Sequence, residues 1–175
     1  MIYLIGGPPR VGKSTLAQKL TTECGIPFIS TDVLLFMVHD TLPDLNLKDP
    51  YEAIPKKFFP FLDSFIRNTI LTVPDYVIEG DTITPAIAQR LGEKYELRAC
   101  FLGSTQTTLE NIRRYTGHND WMSLKNEAEL AVIPASIMRR SQALKEECEK
   151  RELAFFDTSA GFDAVIKTAF TELTR

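Results

Sequence analysis

The sequence predicts a three-layer α/β/α fold, in which a five-stranded parallel sheet lies between two layers of helices. Short apolar runs alternate with amphipathic stretches along all 175 residues, without an internal repeat or a low-complexity tract. The 44% hydrophobic and 25% charged residues are typical of a globular chain. The length is that of one ordinary domain, so we expect residues 1–175 to form a single domain.

Five short apolar segments are predicted to be the strands of the sheet. The first is β-branched, and Gly6 and Gly7 follow it directly. The others also end in glycine or in polar residues that favour turns. The five segments are residues 2–5, 27–30, 76–79, 97–102 and 154–156.

Helices are predicted between these strands because apolar residues recur there at helical spacing. Asp49 and Pro50 have the pattern of a helix start, and Pro55 and Pro60 are expected to kink or restart the helix that follows. Pro134 is expected to split a later helix. The phenylalanines of the first of these helices either pack in the core or line a substrate pocket. The predicted helices cover residues 14–23, 33–39, 54–70, 85–91, 109–114, 130–148 and 162–173.

Composition excludes several classes of protein. The formal charge of −3 and the pI near 5.5 argue against a protein that grips a nucleic-acid backbone. Cys24, Cys100 and Cys148 lie too far apart for a disulfide framework or a zinc cluster, and we expect them to be buried thiols. The N-terminus lacks a basic signal region and the longest apolar run has six residues, 33–38, so we expect a cytoplasmic protein.

The motif that carries chemistry is Gly-x-x-x-x-Gly-Lys-Ser, the P-loop, at residues 7–14. It follows a predicted strand and opens a predicted helix, as its mechanism requires. The loop's backbone amides can cradle phosphate oxygens, Lys13 supplies a mobile positive charge and the Ser14 hydroxyl can bind Mg²⁺. Arg10 either contacts phosphate or is solvated. The residues expected to bind ATP are Gly7, Pro8, Pro9, Arg10, Val11, Gly12, Lys13, Ser14 and Thr15.

P-loop proteins include switches, motors and small-molecule kinases, and the rest of the chain distinguishes among them. A GTPase would need an Asn-Lys-x-Asp motif after a strand, which this sequence lacks. The Lys13-Ser14-Thr15 run, the chain length and the strand that ends in Asp32 resemble the P-loop kinases of the adenylate-kinase-like and shikimate-kinase-like group. Residues 77–80 resemble the third strand of that group.

The resemblance implies site residues. In that group an aspartate placed like Asp32 faces the acceptor hydroxyl and the metal, and the region from Arg113 to Arg140 corresponds to a mobile helical lid, at about residues 113–140, that carries phosphate-binding arginines. Residues 155–159 correspond to the turn that holds adenine. The typical strand beside the P-loop ends in aspartate, whereas this one presents Glu79 and then Asp81.

The resulting prediction is an ATP- and Mg²⁺-dependent phosphotransferase that acts on a hydroxyl of a small molecule. The predicted catalytic residues are Lys13, Asp32, Arg113 and Arg139, and the predicted metal ligands are Ser14, Asp32 and Glu79. Asp32 has a second interpretation, as the N-cap of the helix that follows it. The alternatives are a nucleoside or nucleotide kinase and, in another class, a nucleotide-dependent switch without phosphotransfer.

The acceptor is expected to enter between the helix after Asp32 and the 55–70 segment. His39, Lys56, Lys57 and Arg67 are candidate recognition groups there, each of which could equally be an ordinary surface residue. The expected partner is a small-molecule acceptor, with neither a nucleic-acid polymer nor a membrane. The sequence leaves open whether the chain forms a homodimer.

Overall fold

The strands form one parallel sheet. The computed structural model describes residues 1–41, 53–114 and 121–175. Its strands are β1 (Ile2–Gly6), β2 (Phe28–Ser30), β3 (Tyr76–Gly80), β4 (Leu97–Gly103) and β5 (Ala154–Asp157). They pair in the order β2-β3-β1-β4-β5, and every pairing is parallel. All five predicted strands are confirmed, each within a residue of its predicted ends.

Helices cover both faces of this sheet, which confirms the three-layer α/β fold. One cluster of buried side chains joins the sheet to the helices that follow β2 and β3, and a second joins its other face to the first and last helices. The helices are α1 (Lys13–Cys24), α2 (Thr31–Thr41), α3 (Ile54–Thr69), α4 (Pro85–Gly92), α5 (Leu109–Arg114), α6 (Glu127–Ala131), α7 (Ile133–Lys150) and α8 (Phe162–Thr174).

Two helix boundaries follow directly from local sequence. The Thr84 hydroxyl accepts a hydrogen bond from the Ile87 amide at 3.3 Å and so caps α4, with Pro85 in its first turn. The break at Val132 separates α6 from α7, and Pro134 lies in the first turn of α7. The predicted split near Pro134 is therefore confirmed.

Two expectations about local structure are wrong. Helix α3 continues through Pro60, because the apolar face of the helix on both sides of it is buried, including Phe58 and Leu62, and this packing outweighs one missing hydrogen bond. Cys24 is exposed at the end of α1, whereas Cys100 and Cys148 are buried as expected. The fold places the last turn of α1 at the surface, which cysteine content could not reveal.

Some predictions fall on parts of the chain outside the described residues. These are the helix start at Asp49 and Pro50 and, within the predicted lid, residues 115–120. In the described ranges, no helix has both the length and the apolar character needed to cross a membrane.

Candidate active site

The parallel register brings the predicted site residues to one edge of the sheet. Gly6 pairs with Gly80 across β1 and β3, and Ser30 pairs with Glu79 across β2 and β3. The loops that leave these three strands therefore begin side by side. This carboxyl edge, where β1 lies between β3 and β4, is where open α/β sheets bind their ligands.

The P-loop packs closely against the end of β4. Gly7 has φ 143°, and a Cβ atom there would lie 2.1 Å from the Leu102 carbonyl oxygen, so only glycine fits. Val11 is fully buried in the core and anchors the loop. Lys13 donates a hydrogen bond from Nζ to the Pro8 carbonyl at 2.9 Å, across the mouth of the loop. The loop is thus held open as a cradle before any phosphate is bound.

Glu79 joins the P-loop to β3 and β2. The Ser14 hydroxyl donates to Glu79 Oε1 at 3.0 Å, and Ser30 also hydrogen-bonds to the Glu79 carboxylate. Glu79 is only 4% exposed. Burial raises its pKa, and although Lys13 and the serine hydrogen bonds lower it, the net pKa lies above the ordinary value for glutamate. A buried carboxylate in this environment has much to gain from a nearby cation.

Asp32 lies in the first turn of α2. Helix α2 begins at Thr31, and the Ser30 hydroxyl accepts a hydrogen bond from the Asp32 amide at 3.3 Å. The interpretation of Asp32 as the N-cap is therefore wrong, because the helix starts earlier than its apolar residues indicated. The Asp32 side chain is open to solvent but surrounded by protein atoms, and this desolvation raises its pKa; Asp81 raises it further and Lys13 lowers it.

A buried hydroxyl pair fixes the start of α2 against the end of β3. Thr82 donates from Oγ1 to Thr31 Oγ1 at 2.9 Å, and both side chains are almost fully buried. Thr31 occupies the space that a side chain on Gly80 would need, since a Cβ there would lie 1.7 Å from Thr31 Oγ1. This contact sets the position of Asp32, the next residue.

The donor set around Ser14 fits Mg²⁺. A hydroxyl and two carboxylates with raised pKa values, Glu79 and Asp32, provide the oxygen ligands that Mg²⁺ prefers. Over residues 1–41, 53–114 and 121–175, no three His, Cys, Asp or Glu side chains cluster as a metal cage. This agrees with the usual behaviour of Mg²⁺, which takes one or two protein ligands and completes its shell with water and phosphate.

A cleft of about 700 Å³ opens beside Gly7 and Pro8. Its lining includes Lys56 at the start of α3 and both Arg139 and Arg140 of α7. Arg140 pairs with Asp81, from Nη2 to Oδ2 at 3.3 Å. The ion pair connects the helix that carries the predicted lid arginines to the residues that follow β3.

The space between α2 and α3, where the acceptor was expected to enter, is different in character. It holds an apolar groove of about 430 Å³, lined by side chains such as Leu34, Phe58 and Phe65. Arg67 hydrogen-bonds to Ser64 on its own helix at 3.4 Å. Of the four candidate recognition groups, Lys56 lines the charged cleft. The phenylalanines of α3 both fill the core and line this groove.

A second, polar pocket of about 170 Å³ lies on the other side of the P-loop. Arg10 and Arg114 line it, together with residues of the turn after β5 such as Ser159. Arg10 adopts φ 64°, an uncommon conformation for a residue with a side chain, and is half-buried. Arg113, by contrast, is exposed on α5. Of this neighbouring pair, Arg114 lines the pocket, while the role predicted for Arg113 stays a prediction.

The turn after β5 is held by the Asp157 carboxylate. It accepts hydrogen bonds from the backbone amides of Thr105 and Ser159, at 3.2 and 3.0 Å, and from both of their hydroxyls. Burial raises the pKa of Asp157, but these hydrogen bonds outweigh burial and hold the pKa below its ordinary value. The wall of the polar pocket is therefore rigid.

Sequence reasoning missed two features of this site. Neither Thr31 nor Thr82 was singled out, because a buried threonine pair has no signature in a single sequence. Asp81 was noticed only as a neighbour of Glu79, and its pairing with Arg140 joins residues 59 positions apart. A pairing over such a separation is visible only in the folded chain.

Solved structures with this fold are kinases. A gluconokinase from Sinorhizobium meliloti 1021 superposes with a TM-score of 0.62 at 18% identity, covering 99% of this chain and 91% of that one. A shikimate kinase from Bacteroides thetaiotaomicron gives a TM-score of 0.60 at 12% identity, with 99% and 96% covered. Both have a match probability of 1.00.

Sequence comparisons are weaker. No protein-family model matches the chain. A cytidylate kinase from Chlamydia caviae is 33% identical over 88 residues, which cover 48% of this chain and 38% of that protein. Amidophosphoribosyltransferase from Rattus norvegicus is 21% identical over 173 residues, and covers 87% of this chain. The chain spans about a third of the length of this relative. The structural neighbours thus decide the comparison: this chain has the fold of the P-loop small-molecule kinases of the shikimate-kinase-like group.

Proposed function

We propose that this protein transfers the γ-phosphoryl group of ATP to a hydroxyl of a small molecule in an Mg²⁺-dependent reaction. The observation that carries the proposal is the convergence of Lys13, the Ser14–Glu79 pair and Asp32 at the sheet edge, beside an open cleft. Phosphoryl transfer depends on in-line positioning and on neutralising the charge of the transferred group. These residues offer both.

The nucleotide is expected to lie along the P-loop. The backbone from Gly7 to Ser14 and the start of α1 receive the phosphates, and Lys13 exchanges its Pro8 carbonyl partner for a phosphate oxygen. The polar pocket lined by Arg10 and Arg114 receives the base. When bound between Ser14, Glu79 and Asp32, Mg²⁺ neutralises charge on the phosphates.

The acceptor is expected to occupy the cleft on the opposite side of Gly7 and Pro8. Its oxygen forms a bond to the γ-phosphorus while the bond from that phosphorus to the bridging oxygen of ADP breaks. Asp32 accepts the hydroxyl proton, a task for which its raised pKa suits it. Arg139 neutralises charge on the transferred group. A cytoplasmic location, where ATP is supplied, belongs to the same proposal.

The test is ATP consumption with a panel of hydroxylated metabolites, followed by identification of the phosphorylated product. We expect Lys13→Ala and Asp32→Asn each to lower turnover by about 100-fold. Lys19→Ala, which removes a surface lysine from the same helix, is the matched control and should leave turnover unchanged. If ATP binds but Asp32→Asn turns over like the wild type, the assignment of Asp32 is wrong.

The same assay separates the two alternatives. A nucleoside or nucleotide kinase differs only in the acceptor that is phosphorylated. A nucleotide-dependent switch would bind a partner in a nucleotide-dependent way and yield no product that carries the γ-phosphate. A phosphorylated small molecule in the reaction therefore excludes the switch.

A further inference from the structure

The cleft beside the P-loop contains two cations without a compensating charge. Lys56 on α3 and Arg139 on α7 both line it and both are exposed. Among the residues that the structure describes, neither forms an ion pair or a side-chain hydrogen bond. Two such charges that face one cleft in a chain of net charge −3 favour a negatively charged ligand.

The carboxylates in the cleft do not cancel these cations, because each has its own partner. Asp81 pairs with Arg140 at 3.3 Å, and Glu147, near the far end of α7, pairs with Arg151 at 3.2 Å. The anion that Lys56 and Arg139 attract must therefore come from a ligand.

The rest of the cleft is apolar. Ile83, Pro85 and Ile87 line it from the loop after β3 and the first turn of α4, and Ala143 and Leu144 line it from α7. These side chains come from two separate elements, so an apolar group between them would be covered on both sides. The volume, about 700 Å³, lies within the range of sites that take ligands of drug-like size. A very small hydroxy acid would leave most of it filled with water.

We infer that the phosphoryl acceptor is amphipathic: a hydroxyl compound that carries a carboxylate or phosphate group and an apolar body. Its anionic group contacts Lys56 and Arg139, its apolar body lies between α4 and α7, and its hydroxyl faces Gly7 and Pro8 of the P-loop. The inference rests on the proposed function, because it places the acceptor in this cleft. It adds the chemical class of that acceptor.

Binding of matched probes tests this class without the need for the natural acceptor. The probes are phenyllactate, its neutral amide phenyllactamide, and lactate, which lacks the apolar body. Hexylglycerol phosphate and neutral hexylglycerol form a second pair, in which phosphate replaces carboxylate. Affinities are measured by isothermal titration calorimetry on the full chain with saturating ADP, which fills the P-loop.

We expect the better-bound acid of the two pairs to bind about tenfold more tightly than its neutral partner, a ratio typical of hydrogen bonds to a charged group. If that acid is phenyllactate, it should also exceed lactate by about tenfold because of its apolar body. Which acid binds better tells carboxylate from phosphate. Arg139→Gln and Lys56→Gln should each weaken binding of the acid by roughly tenfold and that of its neutral partner by less than about twofold.

Lys150→Ala is the matched control for charge, since it removes one exposed cation from the far end of α7 and should change neither affinity. The proposal is overturned if both acids bind no better than their neutral partners, if none of the probes binds to the ADP complex, or if Lys150→Ala weakens the acid as much as Arg139→Gln does. ADP affinity, measured separately in the wild type and in Lys13→Ala, tests the proposed function. If ADP binding needs Lys13 but the charge of the probe has no effect, only the acceptor class is wrong.

Discussion

Replacing Gly80 with alanine tests whether the Thr31–Thr82 contact positions the active site. The Cβ atom of Gly80→Ala would lie 1.7 Å from Thr31 Oγ1 and 2.8 Å from Thr31 Cβ. Thr31 is fully buried and its Oγ1 accepts the hydrogen bond from Thr82 at 2.9 Å, so it cannot rotate away without losing that bond. The φ of Gly80 lies outside the left-handed region, so the effect is steric alone.

The expected loss of stability follows from these two contributions. Overpacking of a well-filled core costs about 1–3 kcal/mol, and a buried hydroxyl left without its partner costs about 1–3 kcal/mol. We therefore expect Gly80→Ala to lower the free energy of unfolding by about 2–5 kcal/mol, which lowers the Tm by roughly 5–15 °C for a chain of this size. Because Thr31 precedes Asp32, turnover of ATP should fall as well.

Urea unfolding followed by circular dichroism measures the effect, with Gly92→Ala as control. A Cβ on Gly92, the last residue of α4, meets nothing within 4 Å, so this variant should be as stable as the wild type or up to about 1 kcal/mol more stable. Thr31→Ala added to Gly80→Ala removes the closest contact, and the double variant should lose at least about 1 kcal/mol less than the sum of the single losses. Equal midpoints for Gly80→Ala and Gly92→Ala, or additive losses, would refute the reasoning.

Two further predictions concern other parts of the fold. Asp157→Ala removes the acceptor of four hydrogen bonds and should cost about 1–3 kcal/mol near neutral pH in urea unfolding. Since the folded-state pKa of Asp157 is lowered, its carboxylate stabilises the fold above its ordinary pKa, and this stability is lost as the pH falls through the folded pKa; the gap between variant and wild type should close between about pH 5 and about pH 2. In thiol titration of the native protein, exposed Cys24 should react rapidly, whereas burial raises the pKa of the Cys100 thiol and raises that of Cys148 to about 12, so these two should react only after unfolding.

Each of these has a contrary outcome. A difference between Asp157→Ala and wild type that persists unchanged at acid pH would mean that the carboxylate's charge does not hold the turn. Rapid reaction of more than one thiol in the native protein would mean that the core around β4 and α7 opens readily. Denatured protein, in which all three thiols react, calibrates the second measurement.

The order of helices and strands could be predicted from sequence because its causes are local. The alternation of apolar runs with amphipathic stretches, the Thr84 cap and the break near Pro134 act over a few residues each, and the structure confirms them. Pro60 shows where local rules fail. Its cost is local, but the buried face of α3 that offsets it depends on helix packing. The exposure of Cys24 likewise depends on which turn of α1 faces solvent.

The sequence by itself determined the fold class, the P-loop between β1 and α1 and the carboxylates that end β2 and β3. Each of these arises from residue type and spacing along a short stretch of chain. Only the tertiary structure decided what these residues face: that Ser14 contacts Glu79, that Arg140 pairs with Asp81, and that the charged cleft lies against α4 and α7 and not between α2 and α3. The reason is physical, because those contacts join residues that only parallel strand register and helix packing bring together.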